Sequence, residues 1–324
     1  MKLRTKIALA VVAFVVSATG LAAAIGRPPT THPVVAAELG APVSASILEA
    51  LVEQPGPLDA DTIVAADWAV DRGGLINLDS EEAKKEHLTA GPEPIVIFLH
   101  AIRHPMRGLY LIDTGAERAL HGTDRSGSAV GPIMSKVLPL DALRVRTDTA
   151  SFLANEPAPP AGVLFTHLHF DHVMGTPDIP NDVPLYAGPG ETTGRTAAGF
   201  VVAPMTDREL AGKGALREWR FEPDPDGKFD GIVDVFGDRS LFAIWAPGHT
   251  PGSTAYLART KKGPVLFVGD ACHTRWGWAH RVEPGEFSAD RARSKKSLAA
   301  LEDLVARHPT IEVRLGHQEA SVKE

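Results

Sequence analysis

From Ile95 onward the chain alternates short apolar runs with polar breaks rich in glycine and proline. Ile95-Val96-Ile97-Phe98-Leu99 and Leu109-Tyr110-Leu111-Ile112 are continuously apolar. Pro105-Met106-Arg107-Gly108 between them has turn composition, so this stretch predicts a β-hairpin. Further runs predict strands over Gly162 to Thr166, Val183 to Ala187, Leu216 to Phe221, Ser240 to Trp245, Ser253 to Leu257, Val265 to Val268 and Ile311 to Leu315. Ser288 to His308 has helical spacing instead, with Leu298, Leu301, Leu304 and Val305 on one face. Strands and helices mix without a regular βαβ alternation. That predicts layered sheets covered by helices rather than one parallel sheet.

The chain before these runs is different. Lys2, Arg4 and Lys6 precede an apolar stretch from Ile7 to Ile25, and Ala22-Ala23-Ala24 offers the small residues of a cleavage site. Residues 1–25 therefore predict a secretory signal peptide, or an uncleaved anchor, since the run is nearly long enough to span a bilayer. Both place the folded domain outside the cytoplasm, periplasmic or secreted, with membrane contact only where the segment stays attached. Residues 26–90 predict a linker and an N-terminal extension packing on the domain. Pro28, Pro29, Pro33 and Pro42 break regular structure there. A short helix is expected between Ser44 and Glu53, capped by Ser44 or Ser46, and a weakly helical stretch from Ser80 to His87. The domain proper is expected over 91–324.

Composition narrows the possibilities. Cys272 is the only cysteine among 324 residues, so no internal disulfide forms and the core, with any bound metals, must hold the fold. Cys272 itself reads as a small buried residue. The net charge of −7 argues against nucleic acid as a partner, more so without Lys2, Arg4 and Lys6. A small-molecule substrate remains.

The chemistry concentrates in Thr166-His167-Leu168-His169-Phe170-Asp171-His172. In an extended segment alternate residues point the same way, so His167 and His169 project together from the strand end. After a turn, Asp171 and His172 point back from another angle. Three imidazoles and a carboxylate in six residues suit a metal, because packing alone leaves such polar groups without partners. Three downstream strands share one design: each ends in glycine followed by a single ligand-type residue, His249 after Gly248, Asp270 after Gly269 and His317 after Gly316. Together these residues supply five imidazoles and two carboxylates, enough for two metals.

This pattern resembles the metallo-β-lactamase superfamily. The matching residues are the His-x-His-x-Asp-His block at 167–172, His249 in Gly-His-Thr-Pro-Gly-Ser, Asp270 in Val-Gly-Asp, His317, and the early Asp113-Thr114-Gly115 turn. The resemblance implies an α+β fold, a four-layer αββα sandwich of two mixed sheets with the metals at one edge. It implies that His167, His169 and His249 hold one metal, that Asp171, His172 and His317 hold the other, and that Asp270 bridges them. Asp113 is expected to support the site rather than bind metal. Two zinc ions are the expected cofactors, with iron, manganese or cobalt able to occupy similar nitrogen and oxygen sites. Such a pair makes hydroxide available near neutral pH to attack a polarised carbonyl. Asp171 is additionally expected to orient that nucleophile or pass a proton to the leaving group.

Within the superfamily the block resembles the lactonase branch, including enzymes that open acyl-homoserine lactones. A thioester, a phosphodiester or a β-lactam is the alternative bond, and a non-catalytic ligand-binding member the alternative class. Lactonases of this branch often carry a tyrosine shortly after the bridging aspartate. Here the stretch is Asp270-Ala271-Cys272-His273. His273 is either a catalytic replacement for that tyrosine or an ordinary loop histidine. Trp276, Trp278 and Phe287 either line a pocket beside the metals or pack under a loop. His100 and His104 carry no assigned role, and His32, His87, His121, His280 and His308 are expected to face solvent.

Overall fold

The computed structural model describes residues 27–122, 125, 127–131, 140–194 and 199–319. The basic and apolar stretch over 1–25 lies outside them. Among the described residues no helix is long and apolar enough to cross a membrane.

Among the described residues, fourteen strands form two sheets. The strands are β1 (Val34–Ala36), β2 (Ala41–Val43), β3 (Asp59–Asp71), β4 (Pro92–His104), β5 (Gly108–Ile112), β6 (Arg144–Val145), β7 (Gly162–Leu164) and β8 (Leu185–Ala187). They continue with β9 (Leu216–Glu218), β10 (Ile232–Asp234), β11 (Leu241–Trp245), β12 (Thr254–Thr260), β13 (Gly263–Phe267) and β14 (Glu312–Arg314). The first sheet has the order β1-β9-β8-β7-β5-β4-β3-β6 and the second β14-β13-β12-β11-β10-β2. Both are mixed, as the sequence predicts.

Side-chain alternation explains why the predicted strands read as continuously apolar. In β5, Tyr110 and Ile112 meet Leu241, Ala243, Tyr256 and Phe267 of the opposite sheet. Leu109 and Leu111 of the same strand point outward, against Val173, Phe152 and Leu210. In β11 and β12, Phe242, Ile244, Ala255 and Leu257 face Leu298, Leu301 and Leu304 of the helix Arg291–Arg307. Each fully buried leucine there contributes roughly 1.5–3 kcal/mol. Both faces of both sheets are covered, which is the αββα arrangement.

The boundary expected at residue 91 is not a boundary in the sheets. Residues 26–90 supply β1 to the first sheet, β2 to the second, and the long β3, which pairs with β4 from Asp59 to Asp71. The Pro42 break falls inside β2 at the edge of its sheet, where proline needs no ladder partner for its nitrogen. The two predicted helices are shorter than expected, Ala45–Glu49 with Ser44 as cap and Glu81–Lys85 with Ser80 as cap.

Strand direction gathers the site. β5 and β7 are parallel, as are β13 and β14, and β11 runs in the same direction as β13 because both are antiparallel to β12. The segments bearing Asp113, His167, His249, Asp270 and His317 therefore all leave the carboxyl ends of strands.

Candidate metal centre

After β7 the chain runs extended through His167 and then turns in the short helix Phe170–Val173, with His169 at its N-cap and the His172 amide donating to the His169 carbonyl at 3.0 Å. This turn separates the two halves of the motif. The donor atoms of His167, His169, His249 and Asp270 lie within 4.8 Å of one another, and so do those of Asp171, His172 and His317. Asp270 sits between the groups. Its Oδ2 lies 3.6 Å from His167 Nε2 and 3.3 Å from both His172 and His249 Nε2, and its Oδ1 lies 3.3 Å from His317 Nε2. Asp171 Oδ2 is 3.3 Å from His317 Nε2.

Close approach of the backbone makes this convergence possible at two glycines. A Cβ on Gly316 would stand 2.2 Å from Asp270 Oδ1, so the carboxylate occupies the space a side chain would need. Gly248, at φ +142°, lets the chain before His249 pass against the helix Arg291–Arg307, where a Cβ would stand 2.1 Å from the Ser294 nitrogen.

The outer nitrogens of the imidazoles are held so that the inner ones face the cluster. His317 Nδ1 donates to the Val96 carbonyl at 3.0 Å, and His172 Nδ1 is 2.7 Å from Asp113 Oδ2. Asp113, itself at φ +55°, also accepts from the Thr166 amide and hydroxyl, both at 2.8 Å. It therefore fixes both the strand end and a ring. His249 Nε2 and His169 Nδ1 face each other at 2.8 Å. His167 Nε2, His172 Nε2 and Asp270 Oδ1 are buried without a hydrogen-bond partner. Orphaned nitrogens and oxygens at this density fit divalent cations bound by imidazole and carboxylate.

The electrostatics divide along the same line. Burial, helped by neighbouring imidazoles, holds His167 and His249 well below the usual histidine range, the neutral form a metal requires. Burial alone would lower His172 and His317 as well, but Asp270 with Asp113 and Asp171 outweighs it at His172, and Asp270 with Asp171 at His317, so both rise. Burial would raise Asp270, and His273, His317 and His172 reverse that, holding it well below the usual carboxylate range.

Sequence reasoning missed Glu191. This buried carboxylate accepts from the Leu168 amide and the Gly252 amide, both at 2.8 Å, and from the Thr250 hydroxyl. It clasps the loop between His167 and His169 to the loop that carries His249. The one signal was an acidic residue directly after Pro189-Gly190, which looks like any exposed turn.

His273 is buried within the cluster, its Nε2 3.0 Å from Asp270 Oδ2. Of the two arrangements open to the nearby aromatic residues, the structure shows packing rather than a shared pocket. Trp278 packs on the core beneath the helix Arg291–Arg307, Trp276 joins Leu75 and Met174, and Phe287 lies over Gly74. Burial pushes the Cys272 thiol up, in keeping with a small buried residue. His100 is buried and held down at about 3 by that burial. His104 is buried against Asp238. Of the histidines expected in solvent, His87 and His121 are exposed, while His32, His280 and His308 are half-buried.

The sequence profile of the Metallo-beta-lactamase superfamily matches residues 100–317. The N-acyl homoserine lactonase AttM of Agrobacterium fabrum is 29% identical over 225 residues, covering 66% of this chain and 78% of AttM. The metallo-hydrolase mfmC of Annulohypoxylon moriforme is 37% identical over 118 residues, which cover 34% of this chain but only 30% of that protein. Among solved structures, a quorum-quenching N-acyl homoserine lactone lactonase superimposes with a TM-score of 0.56 at 16% identity, covering 82% of this chain and 93% of the other. At that identity the likeness concerns the fold.

Proposed function

The chain belongs to the metallo-β-lactamase superfamily, and on that premise we propose that it is a dinuclear metal hydrolase that opens a lactone or a related carboxylic ester. The observation that carries this is the convergence on Asp270, with imidazole nitrogens from His167, His172, His249 and His317 within 3.6 Å of one carboxylate. The choice of bond is supported by AttM, a lactonase by name, 78% of whose length is matched.

In this proposal His167, His169 and His249 hold one cation, Asp171, His172 and His317 the other, and Asp270 both. Zinc is the proposed metal, and when bound the pair supplies a nucleophilic hydroxide near neutral pH and polarises the carbonyl. The chain's own groups do the rest. Asp113 keeps His172 oriented, and Glu191 keeps the His167–His169 and His249 loops together. Asp171, half-buried at the rim, has one oxygen toward His317 and a second with which to orient the nucleophile or return a proton to the leaving group. The proposal also places the folded domain outside the cytoplasm, on the strength of the basic and apolar stretch before residue 26.

The test is a panel of lactones, aryl esters, thioesters, phosphodiesters and a chromogenic β-lactam, run before chelation, after it, and after zinc is restored. Lactone or ester opening should vanish and return. Activity that survives chelation, or that is confined to the other bonds, would overturn the proposal. Asp171→Asn should lower kcat with little change in KM; full turnover in the metal-loaded variant would remove the proton role.

A further inference from the structure

His273 is the one imidazole at the centre of the cluster that the proposed function leaves without work. Its Nδ1 lies 2.9 Å from the Leu75 carbonyl oxygen. A carbonyl only accepts, so Nδ1 is the donor there and Nε2 is the ring nitrogen left to face the cluster. That nitrogen lies 3.0 Å from Asp270 Oδ2. On residues 1% and 4% exposed, a ring nitrogen and a carboxylate oxygen this close need a positive charge between them, which a bound cation would supply.

His317 is built the same way. Its Nδ1 is taken by the Val96 carbonyl, and its Nε2 faces the other oxygen of Asp270 at 3.3 Å. The two rings stack with centroids 5.6 Å apart and planes 13° apart. Their backbones are coupled as well: the Gly316 amide donates to the Cys272 carbonyl at 3.0 Å and the His317 amide to the His273 carbonyl at 3.1 Å. The placement of His273 is thus fixed by two independent sets of hydrogen bonds, one at its ring and one at its main chain. The donor atoms of Asp270, His273 and His317 lie within 4.8 Å of one another.

We propose that His273 is itself a metal ligand, an additional imidazole on the cation held by Asp270 and His317. The inference rests on the dinuclear reading above and goes beyond it. With the assignment above it gives that cation three imidazoles, from His172, His273 and His317, and two carboxylates, from Asp171 and Asp270, a donor set suited to a first-row divalent ion with more than four ligands.

The test uses the full chain, stripped of metal and reloaded with Co²⁺, observed by paramagnetic proton NMR and by visible titration. Wild type should show one exchangeable, hyperfine-shifted imidazole N–H more than the five of His167, His169, His172, His249 and His317. His273→Asn should lose that resonance and bind one Co²⁺ equivalent at least about tenfold more weakly. His273→Asp, which restores a ligating oxygen, should recover both equivalents without recovering the resonance. Only five such resonances in a wild type holding two Co²⁺ would overturn the assignment and leave the dinuclear reading standing. Unchanged affinity in a folded His273→Asn would do the same. A wild type that binds fewer than two equivalents would overturn both. Should His273→Asn fail to fold, the wild-type resonance count decides alone.

Discussion

Two buried carboxylates flank the cluster, and they hold its two halves by different means. Asp113 touches a cluster imidazole directly, with Oδ2 2.7 Å from His172 Nδ1, and ties that contact to the strand end through Thr166. Glu191 touches no imidazole. It accepts from Leu168, between His167 and His169, and from Thr250 and Gly252, just after His249, and so fixes two loops rather than a ring. Loss of Asp113 should therefore alter the basicity and aim of one imidazole, while loss of Glu191 should let His249 move away from His167 and His169 as a unit.

The most damaging way to break both halves together is at Gly316. An added methyl would stand 2.2 Å from Asp270 Oδ1, and Asp270 lies against imidazoles of both halves. Gly316→Ala should cost at least about 100-fold in metal affinity, the upper end for groups that orient ligands. Metal content after dialysis against a weak chelator checks this; retention of wild-type metal would mean that the carboxylate does not need its observed position. Next come Asp113→Ala and Glu191→Ala, each expected to weaken metal binding about 10- to 100-fold. They should differ in which equivalent is lost in a stepwise titration. If both variants lose the same equivalent, the two-halves description fails.

A smaller effect concerns pH. Burial raises Glu191 from 4.5 to about 7, against the hydrogen bonds from Thr250, Leu168 and Gly252 that favour its charge. A carboxyl with a raised folded-state value stabilises most below about 4.5, and that contribution is lost as pH climbs through about 7. Melting of the metal-free protein, compared with Glu191→Gln, should show wild type losing relative stability across this window; parallel curves would contradict it. Smallest of all, Asp59→Asn at the exposed Lys261 pair of β3 should change stability by at most about 1 kcal/mol and leave metal content alone.

What could be read in the sequence follows the same division. His167, His169, Asp171, His172, His249, Asp270 and His317 each follow a strand end, where an apolar run and then a glycine or a tight block announce them locally. Asp113 was legible for that reason. Glu191 was not, because its partners lie 23, 59 and 61 positions away and nothing nearby marks it as buried. The strand β3 escaped for a related reason. Asp59, Asp61, Asp67 and Asp71 interrupt its apolar pattern on the more exposed side, and an irregularity between Val64 and Ala66 breaks its period of two. Residues 26–90 looked like an extension because β1 and β2 are only three residues long and pair with strands nearly two hundred positions further on. Of the two readings open for Trp276, Trp278 and Phe287, packing holds, each against a different apolar surface, which no local pattern could decide.

The central claim is that one shared carboxylate organises two cations. It is tested most directly by the number of divalent metal ions per chain, measured by elemental analysis on zinc-saturated protein and on Asp270→Ala. Wild type should hold two per chain, and the variant should lose at least one. A saturated wild type with a single ion, or a variant that keeps both, would contradict it.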